Sequence, residues 1–217
     1  MIQERISAGA DILLLASVRG LSSEAQALGP TLDAFAPEVV GLGVSPEELK
    51  ALVEYFVLAD AEPLVPLTTN EVNEVRGLSR FGEVQVPNPS NVETLRWGRA
   101  RQIPVAPLDP SEDRSADLFS EHIGYVELVR RTVRERRLGR SPPAPSSPDQ
   151  FAVQWDQTVG GGRGSRRLAE ARDSHLASEV ARLVHGRGRV AVVVDRERFD
   201  GVRALLRQGS RSSRPLP

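Results

Sequence analysis

Residues 195–198, Asp-Arg-Glu-Arg, follow directly on the apolar run Val-Ala-Val-Val-Val at 190–194. Such a run is typical of a strand that is buried on both faces of a parallel sheet, and the residues after it predict an amphipathic helix. In parallel α/β proteins, ligands bind and reactions occur at the carboxyl ends of strands. We therefore expect these four charges at a functional edge, although the Gly, His, Ser and Cys of common catalytic motifs are missing there.

Histidines are few and form no metal-binding pattern. The chain has His122, His175 and His185, with no His-Glu-x-x-His and no Gly-x-Ser-x-Gly for a serine nucleophile. We expect His122 to pack in the core and His185 to end a helix, where a cation complements the helix dipole. His175 stays a candidate for ligand binding because it lies one helical turn after Arg172.

Carboxylates in the same part of the chain could also do chemistry. Two of them, Asp173 and Glu179, fall on a predicted helix, and Asp195 and Glu197 fall at the end of the last apolar run. A pair of carboxyl groups can act as general acid and base if they lie close together. The sequence does not fix their separation.

A glycine cluster at 160–164, Gly-Gly-Gly-Arg-Gly, opens onto a predicted helix. Backbone N–H groups at a helix N-terminus can hold a phosphate. A phosphate-binding loop, however, needs a buried strand before it and a Gly-Lys-Ser/Thr ending, and both are missing here. We expect a flexible hinge rather than a phosphate loop.

Composition predicts an ordinary globular chain: 217 residues, 40% of them hydrophobic and 26% charged, are enough for a sizeable core. No apolar stretch approaches the roughly 18 to 20 residues of a membrane span, and the N-terminus lacks a signal-peptide pattern, so we expect a cytoplasmic protein. The absence of cysteine excludes disulfides and thiolate zinc sites. The second half carries the excess of arginine, but these residues alternate with acids, so nucleic-acid binding is the weakest hypothesis.

Apolar runs alternate with helical patterns along the chain, which favours an α/β fold with a mainly parallel sheet. Strands are predicted at 11–18, 38–44, 83–87, 103–109 and 189–194. Helices are predicted at 22–37, 46–58, 68–82, 90–101, 111–137, 165–184 and 199–208. In the long helix at 111–137 we expect the apolar side chains of Phe119, Ile123, Val126, Val129 and Val133 to face the core. Its arginines would face solvent.

The domain organisation follows from these elements. Residues 1–138 would form the N-terminal part of one α/β domain, and 165–209 would complete it with a helix, a strand and a helix. Between them, 139–164 is rich in Pro, Ser and Gly and is predicted to be a linker or insertion. Residues 210–217 are predicted to be a disordered tail.

Three segments resemble the TraB/PrgY family, which is related to the GumN and Tiki proteins. The first is "DILLLASVRGLSSEAQALGPTLDAFAPEVVGLGVSPEELKALVEYF", where a strand, a helix and a Pro-Glu-Val-Val start to the second strand follow the family order. The second is "EARDSHLASEVARLVHGRGRVAVVVDRERFDGVRALL", which resembles the Arg-Asp-x-x-Met-Ala helix, the following strand and the last helix of the family. The third is "WGRARQIPVAPLDPSEDR", where a helix precedes a strand that ends in an acidic residue.

This resemblance implies a three-layer, TraB-like α/β fold in which two Gly-x-x-His motifs and a glutamate converge. In Tiki proteins these motifs are associated with metal-dependent proteolysis. The present chain departs at all three places: Arg19 and Arg198 stand where the histidines are expected, and Gly43 stands at the glutamate position. A guanidinium stays protonated and cannot bind a metal. We therefore expect no metal, no cofactor and no family-type catalysis.

The same substitutions suggest a binding site. Since the family brings the two strand ends together beside the Arg-Asp helix, Arg19, Arg172 and Arg198, with His175 nearby, would line one pocket for a small anion or a peptide carboxylate. The alternative is that Arg19 and Arg198 pair with Asp195 or Glu197 and only balance charges at the sheet edge. The main hypothesis is a non-catalytic binding or regulatory protein, with a protein partner or a homo-oligomer possible. A metal-dependent hydrolase or peptidase with a rearranged site is the alternative.

Overall fold

The computed structural model describes residues 1–57 and 68–212. Its strands are β1 (Ile2–Ser7), β2 (Asp11–Ser17), β3 (Val39–Leu42), β4 (Val105–Pro107) and β5 (Arg189–Asp195). They form one sheet in the order β1-β2-β5-β3-β4, in which β1 is antiparallel to β2 and the other neighbours are parallel. The expected α/β class with a mainly parallel sheet is confirmed, and the antiparallel edge strand β1 is an addition to it.

Helices connect the strands. They are α1 (Ser22–Phe35), α2 (Pro46–Val57), α3 (Thr69–Leu78), α4 (Pro89–Arg101), α5 (Glu112–His122), α6 (Tyr125–Arg140), α7 (Pro148–Val159), α8 (Arg163–Val184) and α9 (Arg196–Ser212). A short 3-10 turn, Ser79–Phe81, follows α3. No helix in the described part of the chain is long and apolar enough to cross a membrane.

The last strand is the central strand of the sheet. β5 pairs with β2 on one side and with β3 on the other, so that Val192 lies between Leu14 and Gly41. The prediction that the apolar runs near residues 14, 40 and 192 share one sheet is therefore confirmed, although more than 140 residues separate the last run from each of the others.

Alternating side chains of the central strands pack on opposite faces of the sheet, as the two-residue period of a strand requires. Leu14 and Val192 pack in one cluster with Leu176 of α8 and Phe199 of α9. On the other face, residues from β2, β3 and β5 pack with α1, α2 and α4 in a second cluster: Leu13, Leu15, Leu28, Leu32, Val40, Leu42, Leu52, Leu95, Trp97, Ala191 and Val193. The sheet is thus covered by helices on both faces.

A third apolar cluster joins α3, α6 and α7 beside the carboxyl ends of the strands. Its centre is Phe151 of α7, which is fully buried and stacks on Trp155 with ring centroids 5.5 Å apart. Gly77 of α3 lets Phe151 approach, because a Cβ atom there would lie 2.3 Å from Phe151 Cζ. The segment 139–164, expected to be a linker or insertion, thus contains a buried helix that its Pro- and Ser-rich start did not predict.

The predicted long helix at 111–137 is wrong in two respects. It is broken at Ile123 and Gly124 into α5 and α6, with extended backbone at both residues. Its predicted core face is also exposed in α6, where Val126, Val129 and Val133 face solvent. Of the arginines expected to face solvent, Arg131 and Arg134 are half-buried against the protein, whereas Arg130 and Arg137 are exposed.

Other expectations need smaller corrections. Residues 83–87 form only an isolated bridge, between Val84 and Leu21, because Pro87 has no N–H to extend a ladder. Helix α1 continues through Pro30 and has no side-chain cap from a serine. In the predicted tail, residues 210–212 belong to α9, and 213–217 lie outside the described residues.

Candidate functional site

The carboxyl ends of the parallel strands bring together the residues that the sequence singled out. Ser17 of β2 lies opposite Asp195 of β5, so Arg19 begins the loop just beyond this pair. Gly43 follows β3 and donates its N–H to Val193 O at 2.8 Å. Asp109 follows β4 and donates its N–H to Val44 O at 3.0 Å.

Arg19 pairs with a carboxylate at this edge. Its Nη2 atom contacts Asp195 Oδ2, although 53% of the Arg19 side chain is exposed. Asp195 raises the pKa of the guanidinium further above its ordinary value, and Glu197 and Glu74 add to the effect. Arg19 therefore stays charged, and one of its N–H groups is already used.

Arg198 is more buried than Arg19, because it lies in the first turn of α9 under α7 and α8. Its side chain is 14% exposed and lies 3.5 Å from Asp156 Oδ1 and 3.5 Å from Asp173 Oδ1. Burial works against the positive charge, but Asp156 and Asp173 outweigh it and raise the pKa of Arg198. Arg198 thus ties α9 to the two neighbouring helices.

Arg172 of α8 reaches to the end of β4. Its Nη2 atom donates to Asp109 Oδ2, while its buried Nε atom has no acceptor among the described residues. The other oxygen of the carboxylate, Asp109 Oδ1, is likewise buried without a donor. The pair is therefore only partly satisfied, with one buried donor and one buried acceptor left without partners among the described residues.

The three arginines line one cleft of about 510 Å³, which lies between the carboxyl edge of the sheet, α7 and the start of α8. Trp155 of α7 also lines this cleft; it is 3% exposed, and its Nε1 has no acceptor among the described residues. We call this space the arginine cleft. Its described lining includes five arginines (Arg19, Arg131, Arg166, Arg172 and Arg198) and four carboxylates (Glu74, Asp156, Asp195 and Glu197).

Burial makes three carboxyl groups harder to ionise: Glu74 and Glu197, which line the arginine cleft, and Asp173, which lies beside it. Burial raises the pKa of Glu74 to about 7, and burial together with Asp195 raises the pKa of Glu197 to about 7. Burial also raises the pKa of Asp173 to about 6, in spite of the opposing effect of Arg198. Glu74 and Glu197 are therefore partly protonated at neutral pH. The net positive charge of the cleft is then larger than the five arginines and four carboxylates of its lining would give if all were ionised.

His175 does not join the three arginines. It lies on α8 one turn beyond Arg172, but its Nε2 atom is 4.0 Å from Glu179 Oε1, and it is absent from the described lining of the cleft. The structure thus brings together three of the four predicted site residues.

The glycine segment at 160–164 has a structural role at the start of α8. Glu127 of α6 lies so close to this helix N-terminus that a Cβ atom on Gly162 would come within 1.5 Å of Glu127 Oε1. Ser165 and Arg134 donate to the same oxygen, each at 3.1 Å. Burial opposes ionisation of Glu127, but these hydrogen bonds outweigh it and lower its pKa. A carboxylate of the chain itself thus lies beside the N-terminus of α8, where the helix dipole favours negative charge.

Within residues 1–57 and 68–212, no three side chains of His, Cys, Asp or Glu lie close enough together to bind a metal ion.

At the expected glutamate position, a Cβ atom on Gly43 would lie 3.3 Å from Val193 O and 3.4 Å from Val194 Cα. A larger residue there would have to displace the backbone of β5. Gly43 therefore serves the close packing of two strands.

Several residues of the arginine cleft escaped the sequence analysis. Trp155 and Asp156 lie on α7, where no helix was predicted, and Glu74 and Arg166 show no distinguishing pattern in the sequence. Asp109, which pairs with Arg172 but is outside the described lining of the cleft, did carry a signal, because it ends the strand of the third family-like segment. No protein-family model matches the chain, and a search of curated proteins gives no significant match.

Proposed function

We propose that the protein is a divergent TraB/PrgY-like domain that binds a small anion or a peptide carboxylate in the arginine cleft without catalysing a reaction. One observation carries the proposal: Arg19, Arg172 and Arg198 come from three separate elements and line the same cleft. The sheet with helices on both faces and the three family-like segments support the family assignment. We propose an anionic ligand because the arginine side chains that line the cleft offer charged N–H donors.

The ion pairs of these arginines leave donors free for a ligand. A guanidinium has five N–H groups, and a single carboxylate uses at most two of them. In addition, Arg172 Nε and Trp155 Nε1 are buried donors without acceptors among the described residues. An unsatisfied buried donor costs about 1–3 kcal/mol. Both atoms are closed to solvent, so an oxygen-rich ligand would gain from either of them only if the surrounding side chains shift as it binds.

The lack of catalysis is proposed from the chemistry of the substituted positions. Arg19 and Arg198 replace the two expected histidines, and a guanidinium is a donor that neither binds a metal nor accepts a proton at neutral pH. Gly43 has no side chain to replace the expected glutamate. The family mechanism therefore has no counterpart at these three positions.

The experiment is thermal unfolding with sulfate, phosphate or an acetylated dipeptide, each compared with chloride at the same ionic strength. A ligand that binds only the folded state adds about 2.7 kcal/mol of stability at one hundred times its Kd. We expect wild type to be stabilised and the Arg19→Ala and Arg198→Ala variants to bind about tenfold more weakly or worse, since a charge-assisted hydrogen bond contributes about 1.5–3 kcal/mol.

Two further variants separate a ligand site from a structural ion-pair network. Arg207→Ala removes an arginine that is 58% exposed and pairs with Glu4 at 2.7 Å, outside the described lining of the cleft; its anion response should equal that of wild type. Trp155→Phe keeps an aromatic ring but removes the Nε1–H, so it should reduce the anion-induced shift. If no anion stabilises wild type, and Arg19→Ala and Arg198→Ala merely unfold more easily, the arginines are structural and the proposal is wrong.

A hydrolase with a rearranged site is the second candidate, and the pKa values of Glu74 and Glu197, both about 7, favour it. Carboxyl groups that titrate near neutral pH inside a cleft can act as general acids or bases. The test is a screen of ester and peptide substrates. Turnover that depends on a titration near pH 7 and disappears in Glu197→Gln would support the hydrolase. If none of the substrates is turned over, the binding function remains the proposal.

A further inference from the structure

Helix α6 exposes an apolar stripe to solvent. Five of the eight exposed large apolar side chains in the described part of the chain lie on this one helix: Tyr125 (81% exposed), Val126 (60%), Leu128 (43%), Val129 (47%) and Val133 (43%). Four of them, at 125, 126, 129 and 133, follow three- and four-residue steps and so lie along one side of the helix. We call these four residues the α6 stripe.

The opposite side of α6, which faces the protein, is unusually polar. Arg134 donates to Val159 O of α7 at 2.8 Å and to Glu127 at 3.1 Å. Arg131 pairs with Glu135 at 3.1 Å, and Leu138 is the only residue of α6 that the structure fully buries. An amphipathic surface helix ordinarily turns its apolar side inward. The inverted arrangement leaves the apolar stripe available to a partner.

Charges flank the α6 stripe with opposite signs at its two ends. Beyond the C-terminal end lie Arg136, Arg137 and Arg140, for which the described residues provide no ion-pair partner. Helix α5 precedes the N-terminal end, and its exposed acids Asp117 (69%) and Glu121 (53%) lie 4.0 Å and 3.3 Å from Arg114, so this group of three keeps a net negative charge. A face with an acidic end and a basic end complements a second copy of itself when the two copies run antiparallel.

We propose that the α6 stripe is a two-fold interface at which two copies of this chain associate through antiparallel α6 helices. With the axis near Val129, Tyr125 of one copy lies opposite Val133 of the other, and the two Val129 side chains meet. Arg137 of each copy then approaches the acidic end of α5 in the other. A sixteen-residue helix is about 24 Å long, so four apolar residues and both charged ends fit within a single helix pair.

An anionic membrane surface fits the same helix less well. A basic helix with apolar residues can lie on such a surface, but its flanking charges should then all be positive. Asp117 and Glu121, which share the single cation Arg114, leave a net negative charge that an anionic surface would repel. The opposite charges at the two ends therefore favour a second copy over a membrane.

The first test measures molar mass over a range of concentrations by sedimentation equilibrium. We expect the mass to rise toward that of two chains as wild type is concentrated. Val129→Asp should remain monomeric, because the variant would bring two carboxylates together at the axis. The matched control is Val53→Asp on α2, since Val53 is 41% exposed and lies outside the stripe; this variant should associate like wild type.

The second test uses the absence of cysteine from the chain. Val129→Cys places one thiol per copy next to the two-fold axis, and oxidation should give a cross-linked dimer. Val53→Cys should give only the background level. Circular dichroism of every variant confirms that a loss of association does not reflect a loss of fold.

Charge exchange tests the antiparallel direction. Arg137→Glu should weaken association by placing acids at both ends of the stripe, and the additional change Glu121→Arg should restore it. The proposal is overturned if wild type stays monomeric at every concentration, or if Val129→Cys cross-links no more than Val53→Cys. Binding of wild type to anionic vesicles without self-association would assign the stripe to a membrane surface instead, and would also overturn it.

Discussion

Gly201 of α9 lies against Asp173 of α8, so closely that a Cβ atom on Gly201 would come within 2.0 Å of Asp173 Oδ2 and within 3.4 Å of Asp173 Cβ. Glycine at this position allows the two helices to pack while Asp173 stays beside Arg198. The contact therefore connects helix packing with the geometry of the arginine cleft.

We expect Gly201→Ala to destabilise the protein by about 1–3 kcal/mol, because the added methyl group must push Asp173 away from Arg198 or separate the helices. Gly209→Ala is the matched control on the same helix, since a Cβ atom there meets nothing within 4 Å. This control should gain about 0.5–1 kcal/mol from helix propensity alone. Urea unfolding of both variants checks the prediction, and equal changes in stability would contradict the proposed contact.

The segment 139–164 can be tested as part of the core. Phe151→Ala should lower the free energy of unfolding by about 3–5 kcal/mol, since it removes a fully buried ring from the cluster of α3, α6 and α7. Val53→Ala removes an exposed side chain and should change stability by about 0.5 kcal/mol or less. A small effect of Phe151→Ala would mean that α7 is an appendage rather than part of the core.

The pH dependence of stability follows from the carboxyl groups with raised pKa values. The pKa of Glu197 is about 7 in the folded protein, above the ordinary value of 4.5, so between these values the folded state binds more protons than the unfolded state. This contribution to stability is fully present below pH 4.5 and is lost as the pH rises toward 7 and above. Glu197→Gln should therefore stabilise the protein at pH 8 relative to wild type, with a smaller difference at pH 5.

The same titration should affect ligand binding. Protonation of Glu74 and Glu197 removes negative charges near Arg19, so sulfate should bind more tightly at pH 6 than at pH 8. Sulfate is a suitable probe because its own charge is constant over this range. Titration calorimetry at both values gives the affinities, and a constant affinity would show that these two carboxyl groups do not sense the bound anion.

Metal content separates the binding protein from the hydrolase. Protein purified without chelator, supplied with zinc, manganese or cobalt and then dialysed, should retain no stoichiometric ion, because Arg19, Arg198 and Gly43 stand at the expected ligand positions. Elemental analysis by mass spectrometry gives the ratio of metal to protein. One tightly bound equivalent that is lost together with an activity on adding chelator would favour the hydrolase.

The central sheet could be predicted from sequence because its signal is local. Four or more consecutive apolar residues near Leu14, Val40 and Val192 are enough to identify strands buried on both faces. Strand β1 escaped prediction because its inward positions are Ile2, Glu4 and Ile6, and the charged Glu4, which pairs with Arg207 at 2.7 Å, interrupts the apolar alternation. The helical period of α6 groups its apolar side chains on one side of the helix, and the prediction placed that side in the core. The period does not determine whether such a side faces the core or solvent, and in the structure it faces solvent.

The candidate site was predicted only in part, and for a similar reason. Arg19, Arg172 and Arg198 were placed together because strand ends and a neighbouring helix can be located from local patterns. Their partners Asp156 and Asp109 come from distant parts of the sequence. An ion pair between residues so far apart in sequence produces no periodic pattern from which it could be predicted. Trp155 was missed because α7 itself was not predicted, and its ring is buried by stacking on Phe151 in a cluster drawn from several helices.

The position of β5 has a consequence for synthesis and folding. β2 and β3 each form hydrogen bonds with β5 and none with each other, so before β5 is made the growing chain holds two separate strand pairs, β1 with β2 and β3 with β4. Isolated strand pairs are marginally stable, and their open edges invite pairing with other chains. The native sheet can therefore be completed only after one late strand has entered between two early ones, and pairing between strands so far apart in sequence is a slow step in folding.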